Sequence, residues 1–492
     1  MRYVIGIDIG TTNTKAVAYT EKGAVLGSAE ASYTVFTDGR GMHELDPDVL
    51  FDAVITVLLK VTEDRAQEEE AVSVSFSCAM HSLILVDAGG KPLTRALTWA
   101  DSRSERSAGI LKKSENGRRI YRQTGVPIHA MSPLCKILWL KDEQQDLYRR
   151  AARFISIKEY VWWRLFGKYQ VDYSIASATG LLDIRRLGWN EESIVLAGIH
   201  KGQLSELVAC THSESALLPV WRSLGFAEGM PFVIGGSDGC LANLGSGVVR
   251  SGVTALTIGT SGAIRMAVSS VGYDPHEALF CYILSPGIYI SGGATNNGGN
   301  AVQWYADLIF GKGKWDMAML DRLVAEAGGV APGCEGLIFL PYLLGERAPV
   351  WDAGARGMFF GVRSIHDQRT FMRSVMEGIA YSLRQIGESL EETIGPILRL
   401  HASGGFTRSP FWVQMIADVF GKTVVVSSRA DASALGAAML GWMKLGVFGS
   451  PEEAVALVRE EAVYEPDTTR HAAYERNYRV FTQLYGRFRD LM

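Results

Sequence analysis

The sequence predicts an α/β protein built from two similar halves, and three observations carry that expectation. β-rich apolar runs alternate with helical patterns along the chain, the signature of mixed α/β architecture. The opening strand–turn–strand segment at Val4 returns at Val253, close to half a chain later. The length of 492 residues, 47% of them hydrophobic, allows about two to four domains, each able to bury its own core.

Residues 3–9 are an apolar run that ends at the turn Gly10-Thr11-Thr12-Asn13. Residues 14–19 alternate toward the turn Glu21-Lys22-Gly23, and residues 24–33 run outward again. These read as three strands of an antiparallel meander. Residues 45–60 read as a helix, with Asp46 as its cap and Pro47 in its first turn. Its apolar face is Val49, Leu50, Ala53, Val54, Val57 and Leu58. Residues 71–76 are β-rich and lead into Ser77-Cys78-Ala79-Met80-His81. The alternation continues through residues 132–140, 160–166 and 231–238, and residues 470–492 read as one amphipathic helix. In the repeat, Val4-Ile5-Gly6-Ile7-Asp8-Ile9-Gly10-Thr11-Thr12 matches Val253-Thr254-Ala255-Leu256-Thr257-Ile258-Gly259-Thr260-Ser261, 249 positions on. No charged, Ser-rich or Pro-rich linker parts the copies; Gly245-Ser246-Gly247 and Arg250-Ser251-Gly252 are the nearest candidates. A boundary near residue 248 with closely packed, hinged halves is expected.

Composition narrows the function classes. With 49 Lys+Arg against 53 Asp+Glu, the net charge of −4 offers no electrostatic footprint for nucleic acid. The apolar content excludes disorder as the main state. No apolar run approaches the roughly 18 residues of a membrane span, and Asp8 interrupts any signal-like core at the N-terminus. The 6 cysteines form no CxxC pair, which points to reduced, buried thiols in a cytoplasmic protein. Glycine is abundant, at 53 against 15 Pro, which favours tight turns and close backbone approach over flexible linkers.

Two common nucleotide fingerprints are absent. There is no GxGxxG after a strand, and Gly421-Lys422-Thr423 has Ile416 where a Walker A loop needs glycine, after a segment that reads as helix. What remains are glycine-hydroxyl turns expected at strand ends: Gly10-Thr11-Thr12 with Asp8 and Lys15 alongside, Gly259-Thr260-Ser261-Gly262, and the pairs Gly292-Gly293, Gly298-Gly299 and Gly404-Gly405. Such turns aim N–H groups and hydroxyls at phosphate oxygens, and an adjacent Asp8 suits hydrated Mg²⁺. Taken singly, each is equally an ordinary hairpin turn. Asp238, in Gly235-Gly236-Ser237-Asp238-Gly239 after an apolar run, suits a general base, with a plain turn residue as the alternative.

These motifs together resemble, over essentially the whole chain, the FGGY family of carbohydrate kinases. The most specific segments are residues 131–143, Gly345-Glu346-Arg347-Ala348-Pro349-Val350-Trp351-Asp352, and Ala355-Arg356-Gly357, followed by Gly361, His366, Arg373, Glu377 and Gly378. The resemblance implies two actin-like, ribonuclease-H-like domains, residues 1–248 and 249–492, with MgATP and a sugar meeting in the cleft between them. It implies Asp8 near Mg²⁺, with Thr11, Thr12 and Lys15 in the first phosphate motif and Gly259 and Thr260 in the second. Lys15 stands where several members carry Arg, which keeps the charge and loses the planar fork. Gly298, Gly299 and Gln303 resemble the stretch under ATP; Gly404, Gly405 and Ser409 resemble the adenosine motif; Asp238 matches the catalytic aspartate. The segments 79–87, 97–104 and 124–129 most resemble the members that phosphorylate gluconate. They make His81, Trp99, Asp101 and Arg103 candidates for the sugar, with Arg103 suited to a carboxylate. The alternatives for these are a structural His81, a core Trp99 and an Asp101–Arg103 pair that fixes a loop. Ser82 replaces the glycine usual in xylulose kinases, and the Arg-Glu pair of glycerol kinases is missing. The expected partners are a sugar acid or sugar and ATP/ADP, without nucleic acid or membrane, and a homodimer is one assembly open to the chain. The rival readings are a sister kinase acting on xylulose, ribulose or glycerol, and a non-catalytic sugar- or nucleotide-binding regulator.

Overall fold

The two Gly-Thr turns occupy equivalent places in two sheets. The structure, a computed structural model, describes residues 1–63, 69–272, 274–427 and 431–492. β1 (Arg2–Ile9) pairs antiparallel with β2 (Asn13–Thr20) across the first turn, and β3 (Val25–Ser32) pairs antiparallel with β2. α1 (Pro47–Thr62) starts where its cap predicts: the Asp46 carboxylate accepts the backbone N–H of Asp48 and Val49, a bond type worth about 1 kcal/mol. Its buried stripe includes Leu50, Phe51, Val54, Leu58 and Val61 and packs on β2 and β3. Val49, expected on that stripe, is 49% exposed, because one step of about 100° round the helix carries it from the Leu50 side to solvent.

β4 (Glu70–Cys78) lies parallel to β1. The chain then passes through α2 (Pro133–Glu143) and α3 (Ile157–Phe166) and returns as β5 (Ser213–Glu214) and β6 (Phe232–Ser237). These complete a six-stranded sheet in the order β5-β6-β4-β1-β2-β3. α4 (Asp238–Gly245) leads out of it.

The second half repeats the plan. β7 (Val253–Ile258) and β8 (Gly262–Val268) form the antiparallel hairpin, and β9 (Phe280–Ser285) and β10 (Ile288–Thr295) extend it beyond β8. α5 (Gly299–Phe310) and α6 (Gln368–Thr393) follow, and β11 (Arg399–Ser403) lies parallel to β7, as β4 does to β1. After α7 (Pro410–Phe420), β12 (Thr423–Ser427) and α8 (Ala432–Lys444), β13 (Glu460–Tyr464) closes a seven-stranded sheet in the order β9-β10-β8-β7-β11-β12-β13. The terminal helix α9 (Thr468–Phe488) gives way to a 3₁₀ turn at Arg489–Leu491, so the helix expected over residues 470–492 stops short of the end.

Gly292-Gly293 is not a turn. Both residues lie inside β10, where a Cβ on Gly292 would come 2.2 Å from the Ile264 carbonyl oxygen and one on Gly293 2.5 Å from Ile386. Their glycines serve close packing. The 6 cysteines are free and buried. Among the described residues no helix is long and apolar enough to cross a membrane.

α8 comes late in the chain yet packs on the first sheet, against β1 and β4, and crosses α4. Backbone meets backbone at this crossing. A Cβ on Gly245 would lie 1.9 Å from the Ala432 oxygen, one on Gly436 2.1 Å from the Leu241 oxygen, and one on Gly6 2.0 Å from the Ala434 oxygen.

Candidate active site

Three cavities adjoin in series, the first walled by the second half of the chain alone and the other two by both halves. The first, about 590 Å³, has Gly259, Thr260, Gly299, Gln303, Gly405 and Ser409 on its wall together with apolar Leu320, Val324 and Phe411. The second, about 500 Å³, runs from Gly404 and Gly405 past Asp431 to Asp238. The third, about 160 Å³, is enclosed by His81, Trp99, Asp238, Arg265, Tyr282 and Arg347. Gly405 and Arg408 face both the first and the second, while Asp238 and Arg265 face both the second and the third.

The loops of the first cavity interlock through glycine. Gly299 N–H donates to the Gly259 carbonyl at 2.7 Å, and a Cβ on Gly298 would come 2.6 Å from the Ser261 backbone. Gly404 takes φ +102° against Ile258, a conformation that favours glycine. Ser409 caps α7 by accepting the Trp412 N–H at 3.3 Å, so one residue both starts a helix and lines the cavity.

Asp238 is held at a helix start. Ser237 ends β6 and caps α4 through the Cys240 N–H, and the Asp238 carboxylate accepts the Gly239 N–H at 2.7 Å. Behind it, the buried Lys158 ammonium donates to the Gly236 carbonyl at 2.7 Å and to Asp172 at 2.8 Å, and Ser174 Oγ lies 2.9 Å from Ser237 Oγ. Burial pushes the Asp238 carboxyl upward, while Arg265 pulls it back. Such a group is a stronger base than a free aspartate.

Asp8, at the end of β1, accepts the Ser77 hydroxyl at 2.7 Å. Burial and the charges of Asp431 and Asp238 push its carboxyl up to about 7. Lys15 lies 3.3 Å from Asp431. Asp8 and Asp431 thus share one ammonium, while Asp238 is offset by Arg265, and a divalent cation beside Asp8 would balance the remaining charge. Among the described residues no three His, Cys, Asp or Glu side chains converge on one point. Thr11 and Thr12 form the turn next to Asp8, outside the walls of the three cavities.

Around the third cavity, His81 takes φ +66° and its Nδ1 lies 2.8 Å from the Ala178 carbonyl. That nitrogen is therefore the donor, and Nε2, 3.3 Å from the Tyr282 hydroxyl, is the acceptor. Burial holds the ring neutral, pushed down to about 3. Trp99 is half-buried on the cavity wall and carries the Arg347 guanidinium over its ring at 5.0 Å. Asp101 accepts the His43 N–H at 3.0 Å and faces an adjoining cavity of about 400 Å³. Arg103 is engaged elsewhere: it bonds Asp101 at 2.7 Å, pairs with Glu44 and lies over Trp139. The guanidinium groups that do reach the small cavity are Arg265 and Arg347.

Residues 3–245 match the model of the N-terminal domain of the FGGY family of carbohydrate kinases, and residues 255–445 match that of its C-terminal domain. The chain belongs to the FGGY family of carbohydrate kinases. This FGGY chain is 39% identical over 500 residues to a gluconokinase of Bacillus licheniformis, covering 99% of this chain and 95% of the relative. The crystal structure of a gluconate kinase from Lactobacillus acidophilus superposes with a TM-score of 0.93 at 33% identity, over 99% of this chain and 98% of the other. A ligand-bound xylulose kinase of the same organism also superposes at 0.93, with 32% identity and the same coverages. ATP is accordingly a substrate of this FGGY kinase, with a carbohydrate as acceptor.

Four cations or carboxylates of the FGGY site escaped sequence reading: Lys136, Lys158, Arg265 and Asp431. Arg265 and Lys158 had a signal, a charge inside an apolar strand and a charge on a buried helix face. Lys136, in α2, donates to the carbonyls of His81 at 2.6 Å, Thr98 at 2.7 Å and Met131 at 2.8 Å. One ammonium thereby ties together three loops of the sugar side. K136M leaves these carbonyls unpaired and is expected to raise the sugar KM roughly tenfold with little change in the ATP KM. Steady-state kinetics in both substrates check this; equal rises would reject it.

Proposed function

We propose that the chain transfers the γ-phosphoryl group of ATP to the primary hydroxyl of D-gluconate, giving 6-phospho-D-gluconate. The observation that carries the reading is the position of Asp238 on the wall shared by the 500 and 160 Å³ cavities. A hydroxyl in the small cavity and a phosphoryl group in the larger one meet at this carboxylate. Asp238 accepts the hydroxyl proton as the oxygen attacks. His81 orients a second hydroxyl through the Tyr282 hydroxyl that its Nε2 holds, and Trp99 supplies an apolar face. Thr260, Thr12 and Lys15 offset charge on the phosphates. Asp8 would hold Mg²⁺, which would neutralise developing phosphate charge when bound. Residues 1–248 and 249–492 are the two halves that close on the substrates and exclude water.

The choice of gluconate is supported by the likeness to gluconokinase and by the segments around Ser82 and Thr98. A coupled ADP assay over D-gluconate, D-xylulose, D-ribulose and glycerol tests it. The expected outcome is a kcat/KM for D-gluconate at least tenfold above the others. A preference for a ketose or for glycerol would replace the acceptor, and sugar binding without ADP release would make the protein a regulator.

A further inference from the structure

The small cavity carries two buried guanidinium groups, Arg265 and Arg347, that no carboxylate meets in a close ion pair. Arg265 stands in the middle of β8, between buried Ile264 and Met266, in a strand otherwise free of charge. Its slot is built: a Cβ on Gly292 would come 3.2 Å from Arg265 Cγ, and one on Gly239 3.4 Å from Arg265 Nε. Neither Arg265 nor Arg347 forms an ion pair within 4.0 Å among the described residues, and Arg265 makes no side-chain hydrogen bond among them. Arg347 donates Nη2 to the Thr295 carbonyl at 3.0 Å, and its Nε is buried without a partner. The adjacent Glu346 is already engaged by Thr295 at 2.7 Å and the Asn296 N–H at 3.0 Å.

Burial lowers the proton affinity of both guanidiniums, opposed by the charge of Asp238 at Arg265 and of Glu346 at Arg347. Two buried guanidiniums that share one cavity are costly to keep charged unless an anion joins them. Asp238 is the carboxylate facing the same cavity, and it serves as the proton acceptor. Arg347 lines the small cavity and the adjoining 400 Å³ one, Arg265 lines the small cavity and the 500 Å³ one, and the small cavity is the space the two share.

We propose that Arg265 and Arg347 together bind the carboxylate of the sugar acid and set the preference for acids over neutral sugars. This assignment rests on the sugar-acid reading above. A guanidinium pair offers planar donors to both carboxylate oxygens, which a neutral hydroxyl cannot use equally.

The test compares kcat/KM for D-gluconate with that for D-glucitol, the same carbon chain with an alcohol in place of the acid. In R265Q and R347Q the gluconate-to-glucitol ratio is expected to fall about 10–100-fold, the range of lost charge-assisted hydrogen bonds. R265K and R347K, which keep charge and bulk, are expected to fall between parent and glutamine variants. Binding of D-glycerate and glycerol to the parent, read as competitive inhibition, needs no variant to fold, and the acid is expected to bind tighter. A parent without preference for acids overturns the sugar-acid reading. A parent that prefers acids, with variants that keep its ratio or lose both substrates equally, overturns the arginine assignment alone.

Discussion

Asp238→Asn is expected to lower kcat by roughly 10²–10⁴-fold, the contribution of a positioned general base, while the KM for gluconate changes little. The substitution is close to isosteric. The amide oxygen still accepts the Gly239 N–H, and Ser237 still caps α4, so the helix start is retained. What disappears is an acceptor basic enough to take the hydroxyl proton. A coupled ADP assay with folding checked by thermal unfolding reads the result. A folded D238N turning over within tenfold of the parent would remove Asp238 from the role of base.

Asp8→Asn is expected to act in two opposite directions. Turnover falls at least 100-fold, because the variant loses the carboxylate offered to Mg²⁺. Stability of the ligand-free protein rises. In the parent, Asp8 titrates near 7 in the fold against an ordinary value of 3.8, so its protonated form is favoured by folding. That stabilisation is complete below 3.8 and is lost as pH rises through 7. At pH 8 the parent holds three mutually repelling carboxylates, and removing one charge is expected to gain on the order of 2 kcal/mol. Thermal unfolding between pH 5 and 8 checks this: Asp8 makes the parent lose stability as pH rises, D8N loses less, and MgATP restores the parent more than the variant. A D8N protein with the parent's pH dependence and near-parent turnover would contradict the assignment.

Much of this site was legible because its chemistry is local in sequence. Asp8 sits at the end of its strand, the Gly259-Thr260 turn and Asp238 directly follow theirs, and strand ends in α/β sheets open onto clefts. The cap at Asp46 and the meander of residues 2–32 were legible for the same reason, since turn and cap preferences span only a few residues. What escaped depends on contacts far apart in the chain. Arg103 carries the right chemistry for a carboxylate, yet Glu44, some sixty positions earlier, folds back onto it and shares it with Asp101. Arg347 lay within a quoted segment without a role, because only the fold shows its Nε buried without a partner. Gly292-Gly293 read as a turn because glycine pairs usually are turns. Inside β10 the same absence of side chains makes room for a neighbour's arginine.

The crossing of α4 and α8 has a mechanical consequence. Asp238 is the first residue of α4, and Asp431, the partner of Lys15, directly precedes α8. The end of α4 meets the start of α8 with no side chain between them, backbone resting on backbone at Gly245 and Gly436. A single methyl added at either glycine would have to push the helices apart, and with them the segments that carry Asp238 and Asp431. The spacing of two carboxylates is thus set by residues that carry no chemistry of their own.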